Sequence, residues 1–294
     1  MFGASWFAVS LVLSLLALAY EFATGGLDLD GLMAGELPVT PSLFLVNNLA
    51  LAAAIPLAWA AHAAVFRQRI GWLSSVAGRF RWGAFGKFAA LVAVAYVVFS
   101  VVEFALLGWP EDLAVRPETG FLLVVVLLTT PLQAAGEEFA LRGVGARAIG
   151  SWFSGPWIGL VVSTLVTAVV FMLLHGAGDL WLNLYYFYFA VVASILTWRT
   201  GGLEAAIALH VVNNLTSLLW VPFTGLDGIF DREAGVGDPS VLLLMAGMAL
   251  VAAGLLWLAS RVGLARSAAP GRIEVAFDAQ GQRWATPPVG SDEP

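Results

Sequence analysis

Read from its N-terminus, the chain alternates long apolar runs with short polar breaks, not single apolar positions with single polar ones. Eight runs stand out, at 4–22, 42–66, 84–108, 120–141, 156–175, 180–199, 203–220 and 240–262. A bilayer crossing needs about 20 predominantly apolar residues, which these runs approach or exceed. Their length and uniformity predict helices, because a barrel strand would alternate with a period of two over roughly ten residues. The predicted fold is therefore all-α. It is a polytopic membrane protein, a bundle of about eight transmembrane helices with an intramembrane polar cavity. The expected organisation is a transmembrane domain over 1–266, with a motif-bearing core at about 120–220, followed by a cytoplasmic C-terminal tail over 267–294.

Between the runs the pattern is less regular. The segment "RQRIGWLSSVAGRFRWG" (67–83) is rich in Arg and Trp and reads as a loop lying along the membrane interface with its aromatic residues inserted. From Pro270 the chain alternates around a turn, which reads as a short hairpin, before a Pro, Gly and acidic end. The first run has no basic segment ahead of it, so it reads as a retained span and not a cleaved leader. No internal repeat is evident.

Composition supports this picture. The chain is 60% hydrophobic and 12% charged, with a mean hydropathy of +0.87, far from an ordinary soluble domain. Of 14 basic residues, 12 fall on one side of the expected topology: Arg67, Arg69, Arg79, Arg81 and Lys87; Arg142 and Arg147; Arg199; Arg261, Arg266, Arg272 and Arg283. With an even number of spans, both termini are expected in the cytoplasm of a bacterial cell. The opposite loops carry the acidic residues, so the net charge of -6 is mostly an outer-loop property. No basic stripe or motif points to nucleic acid. With no cysteine, disulfides, thiolate chemistry, cysteine metal ligands and cysteine lipidation are excluded.

Ionisable groups inside spans are costly and therefore functional candidates. Glu21 and Glu204 lie at span ends, His62 is near the interface, and Glu103 is deeper, a candidate to pair with a buried base or support a site. The remaining residues form a stronger constellation. Glu138 and Arg142 are four apart and can pair on one helical face, while Glu137 points about a third of a turn away. Phe171 and His175 are four apart, as are His210 and Asn214, with Asn213 at the three spacing. Three spans thus each present a catalytic-type group.

These residues, "EEFALR" (137–142), "FMLLH" (171–175) and "HVVNN" (210–214), resemble the EExxxR, FxxxH and HxxxN motifs of the CPBP family. That family comprises the CAAX-protease and bacteriocin-processing (Abi) intramembrane proteins, whose relatives include the Ras-converting CAAX endopeptidases. The resemblance covers about 120–220. It implies an intramembrane endopeptidase that hydrolyses a peptide bond of a membrane-embedded, prenylated or otherwise hydrophobic peptide, with the lipid bilayer as its surroundings. Residue by residue, it implies that Glu137 activates a water and His175 orients that water or assists the base. His210 and Asn214 would stabilise the oxyanion, with Glu138 and Arg142 as the supporting pair. A carboxylate in a low-dielectric cavity is a competent base near neutral pH. No cofactor is expected to be required. The family is also read as zinc-dependent, in which case Glu137, His175 and His210 are the ligands, but no HExxH is present.

Two other classes use the same polar cavity: a transporter with a proton or cation path through Glu103, Glu137, Glu138 and the histidines, and a non-catalytic scaffold or bacteriocin-immunity protein. One tension accompanies the site. If spans four and five both begin at the membrane edge, His175 lies about 28 Å along its helix while Glu137 is near an end. The two meet only if helix four continues past Arg142 toward Gly150, if span five starts below the interface, or if Pro131 kinks span four.

Overall fold

Twelve α-helical segments and one π-helical turn account for most of the computed structural model, which describes residues 1–27, 30, 33, 39–109, 113–226, 229 and 232–267. The helices are α1 (Phe2–Thr24), α2 (Pro41–Ala52), α3 (Ala54–Phe66), α4 (Gly71–Ser74), α5 (Trp82–Leu107) and α6 (Thr119–Glu138). After the π-helical turn (Phe139–Gly145) follow α7 (Ala146–Gly150), α8 (Pro156–Leu174), α9 (Leu180–Thr200), α10 (Glu204–Leu218), α11 (Val221–Thr224) and α12 (Val241–Arg261). Among the described residues no β-strand forms, and eight helical stretches are long and apolar enough to cross a membrane. The protein is an integral membrane protein. The hairpin expected beyond Pro270 lies outside the described residues.

Local chemistry explains several boundaries. Thr40 caps α2, its Oγ1 accepting from the Leu43 amide, with Pro41 in the first turn where its missing N–H costs nothing. Asp179 caps α9 by accepting from the Trp181 and Leu182 amides, and α9 stops at Gly201 in the left-handed region. The second span is interrupted between α2 and α3 at Ala53, three residues before Pro56, whose ring has no room for the Ala52 carbonyl. Gly136 of α6 sits against this break, and a Cβ there would collide with the Leu51 carbonyl.

Two of the three motif-bearing helices are the innermost. Half of the most apolar stretch of Glu204–Thr224 and 44% of that of Thr119–Gly150 are buried within the protein, against 6% for Phe2–Thr24 and for Trp82–Leu106. Ala205, Ala206 and Ala208 make α10 narrow enough for its neighbours α5, α6 and α9 to close around it. Leu128, Val97, Leu173 and Leu243 face outward, where lipid chains would cover them.

Part of the segment after Arg67 folds into the end of the bundle, with Leu73, Ser74 and Ser75 buried, while Ile70 and Trp82 stay exposed. Ser75 pairs with Gly202 in an isolated antiparallel bridge, Leu203 N–H donates to the Ser74 carbonyl, and Val76 N–H to that of Gly201. Arg147 donates to the Trp72 and Leu73 carbonyls, and Arg81 pairs with fully buried Glu204 at 2.6 Å. Arg81 and Arg147 thus serve acceptors at the end of the bundle, while Arg67, Arg69 and Arg79 stay exposed. The fourth span, in turn, ends not near residue 141 but at Gly150, 32 residues from Thr119. Its polar "RGVG" is tolerated because Arg142 is 2% exposed and internally paired.

Candidate functional site

The extension of the fourth span brings the two motif levels close. The carbonyl of Gly150 stands 2.8 Å from where a Cβ of Gly159 would be, so the end of α7 is level with Gly159 of α8. At 1.5 Å per residue, Glu137 is then about 20 Å below that contact and His175 about 24 Å. Continuation of the helix removes the 28 Å conflict, without any need for a kink at Pro131.

Arg142 lies in the π-helical turn, where the extra residue per turn changes which side chains stack above Glu138. Its Nη1 donates to Glu138 Oε1 at 3.0 Å and its Nη2 to the Ala190 carbonyl of α9 at 3.0 Å. The guanidinium lies over the Phe171 ring, 5.0 Å from its centroid. The same Glu138 oxygen is 2.8 Å from His210 Nδ1. A fully buried ion pair recovers its desolvation cost only with such added partners. An ionised carboxylate only accepts, so opposite an ionised Glu138 the donor is His210 Nδ1.

Glu137 turns to a different set of neighbours. Its Oε1 accepts from Gln133 Nε2 at 2.6 Å, and its Oε2 lies 3.5 Å from His210 Nε2 with no hydrogen-bond partner among the described residues. Asn214 joins through Gln133, its Nδ2 donating to Gln133 Oε1 at 3.0 Å. Hydrogen bonds therefore unite Glu138, Arg142 and His210 in one group and Glu137, Gln133 and Asn214 in another, with the His210 ring between them.

His175 meets this assembly through ring contacts. Its Nδ1 is 2.8 Å from the Phe171 carbonyl, and its ring stacks on Tyr186 at 4.0 Å. Phe171 is the junction: its ring is 4.4 Å from that of His175, 5.8 Å from that of His210 and 5.7 Å from Phe189. From outside the membrane-level helices, Arg232 donates to the His175 carbonyl at 2.6 Å.

Sequence reasoning passed over Gln133, Tyr96, Tyr185, Tyr186 and Phe189. Gln133 was detectable, since it stands four before Glu137 on the same face. The aromatic residues carry no such signal, because their partners come from other helices. Glu103, a sequence candidate for a supporting role, is exposed on α5 and does not meet the site. His62 is buried beside Phe66, 5.3 Å between ring centroids, apart from these residues. As for zinc, both histidines have their Nδ1 engaged. Among the described residues no three His, Asp or Glu side chains are gathered as a metal-holding group.

Fold and site together define a class: an integral membrane protein with charge-compensated carboxylates and imidazole buried between its inner helices. Residues 118–216 match the family described as Rce1-like, "Type II CAAX prenyl endopeptidase Rce1-like". The family resemblance carried by the three motifs therefore holds over the segment that contains them. The chain is also similar to "Uncharacterized protein YyaK" of Bacillus subtilis (strain 168), 27% identical over 149 residues, which are 44% of this chain and 48% of that protein. The match thus spans about half the length of that relative. No solved structure matches.

Proposed function

We propose that the protein is an intramembrane endopeptidase that hydrolyses a peptide bond of a membrane-associated, prenylated or otherwise hydrophobic peptide, using water activated by Glu137. The observation that carries this reading is the divided environment of Glu137: one oxygen is held by Gln133, while the other faces His210 Nε2 at 3.5 Å and is otherwise unpartnered.

In this mechanism Glu137 Oε2 takes a proton from water as the water oxygen bonds to the scissile carbonyl carbon. His175 orients that water. The tetrahedral oxyanion accepts hydrogen bonds from His210 Nε2–H and from the second Nδ2 proton of Asn214. The C–N bond then breaks, and Glu137 returns its proton to the leaving amine. Products are a carboxylate and a protonated amine, and no residue is consumed. Glu138 and Arg142 hold the imidazole in place. No metal is assigned a step. In this reading the Arg-rich helix ends lie in the cytoplasm of a bacterial cell, with both termini on that side.

The test is cleavage by purified protein in nanodiscs of a fluorogenic library of hydrophobic and prenylated peptides, wild type beside Glu137→Gln, with and without a chelator. Cleavage abolished by Glu137→Gln and indifferent to chelation supports the proposal. Cleavage unchanged in the variant removes Glu137 as the base, and loss on chelation moves the chemistry to a metal. Absence of cleavage across the library favours the transporter or scaffold reading.

A further inference from the structure

Five side chains from four helices form a continuous hydrogen-bonded line ending on Glu137. Tyr96 of α5 and Tyr185 of α9 each donate a hydroxyl to Asn213 Oδ1, both at 2.8 Å. Asn213 Nδ2 donates to Asn214 Oδ1 at 3.2 Å, Asn214 Nδ2 to Gln133 Oε1 at 3.0 Å, and Gln133 Nε2 to Glu137 Oε1 at 2.6 Å. An amide has an oxygen at one end and an N–H at the other, so fixing the orientation of one in such a line fixes the next. A phenol hydroxyl also accepts but is the better donor, so two of them meeting Asn213 favour its oxygen on their side and its N–H toward Asn214. Each later link repeats that direction, and all donors point at Glu137.

We infer that Tyr96, Tyr185, Asn213, Asn214 and Gln133 form a one-way hydrogen-bond relay that presents an N–H donor to Glu137 Oε1 and turns its Oε2 toward His210. Gln133 and Asn213 are then positioning residues, acting through Glu137 and not on a substrate. The relay opposes the reversed state, in which every amide is flipped and Gln133 presents its oxygen to Glu137, because two acceptors can face each other only if Glu137 is protonated. Far-end tyrosines thereby influence a carboxyl four links away. The relay concerns the proposed base, so its functional meaning rests on the proposed mechanism. Its physical content does not.

The experiment reads Glu137 directly. Infrared spectra of the full-length protein in nanodiscs are recorded at a fixed pH, and the Glu137 carboxyl band is assigned by its loss in Glu137→Gln. The ratio of protonated to ionised Glu137 is compared in wild type, Gln133→Leu, Asn213→Leu and the double variant. A lost hydrogen bond to the charged form is expected to raise that ratio about tenfold in each single variant. The double variant is expected to go no further, since both substitutions cut one line. Tyr96→Phe combined with Tyr185→Phe keeps the rings and packing and is expected to raise the ratio in the same sense, which covers an Asn213→Leu protein that fails to fold. An unchanged ratio in the folded Asn213 or tyrosine variants overturns the relay, as does full additivity in the double variant. None of these readouts needs a substrate, so an inactive protein would count against the proposed function and leave the relay to its own test.

Discussion

His210 Nδ1 lies 2.8 Å from Glu138 Oε1, the oxygen that Arg142 Nη1 reaches at 3.0 Å. One carboxylate oxygen therefore anchors both the imidazole and the guanidinium. Glu138→Ala would leave Arg142 buried with the Ala190 carbonyl as its remaining hydrogen-bond partner. Breaking such a pair from one side costs about 3–5 kcal/mol. Glu138→Gln keeps an acceptor there and should cost less. Thermal unfolding in detergent tests the order: the Ala variant lowest, the Gln variant between it and wild type. Two midpoints equal to wild type would show that the ion pair contributes nothing to stability.

Gln133 has a kinetic signature distinct from that of Glu137. Once a cleavable peptide is in hand, Gln133→Leu is expected to lower kcat roughly tenfold to a hundredfold at near-constant KM, because it misplaces the base without touching bound substrate. Glu137→Gln should leave no measurable turnover. A Gln133→Leu enzyme with raised KM and unchanged kcat would place Gln133 in substrate binding instead.

Close approach makes Gly136 the most demanding position on α6. A Cβ would collide with the Leu51 carbonyl, which is backbone and cannot swing aside. Gly136→Ala is expected to push α6 away from the α2–α3 break and lower the unfolding midpoint. Gly86, where added atoms meet nothing, is the control. Equal midpoints for Gly136→Ala and Gly86→Ala would contradict the packing described.

Asp179, outside the spans, has a predictable pH dependence. Backbone N–H groups, Leu182 first and then Gly235, Gly237 and Trp181, hold its carboxyl below the usual carboxylate range. A depressed folded value means that its stabilisation is present above the unfolded value of about 4 and is lost as pH falls through the folded one. The gap in unfolding midpoint between wild type and Asp179→Asn should therefore be widest at neutral pH and close as the solution is acidified through the folded value. A gap that ignores pH would mean the charge on Asp179 is immaterial.

Much of the site is legible in the sequence alone. Glu138 with Arg142, and Phe171 with His175, are pairs within single helices, where a spacing of four dictates contact, and both are found. Gln133 with Glu137 obeys the same rule but escapes notice, because a lone glutamine among apolar residues carries no charge signal. Contacts of His210 with Glu138, of Asn214 with Gln133, and of Asn213 with two tyrosines bridge 28 to 117 residues of chain. No local spacing encodes them.

By itself the sequence determined the medium and the elements. Apolar runs of membrane-spanning length must be helices in lipid, since no water is there to satisfy open backbone groups. What only the tertiary structure decided is which helices are inner, where the fourth span ends, and which oxygen each donor meets. Two arginines illustrate the reason. Arg142 and Arg147 read as the polar end of a span, yet the chain continues helically to Gly150, because Ala190, Trp72 and Leu73 supply carbonyls from distant segments. The cost of a charge in the membrane is set by its partners, and partners are a property of the folded bundle.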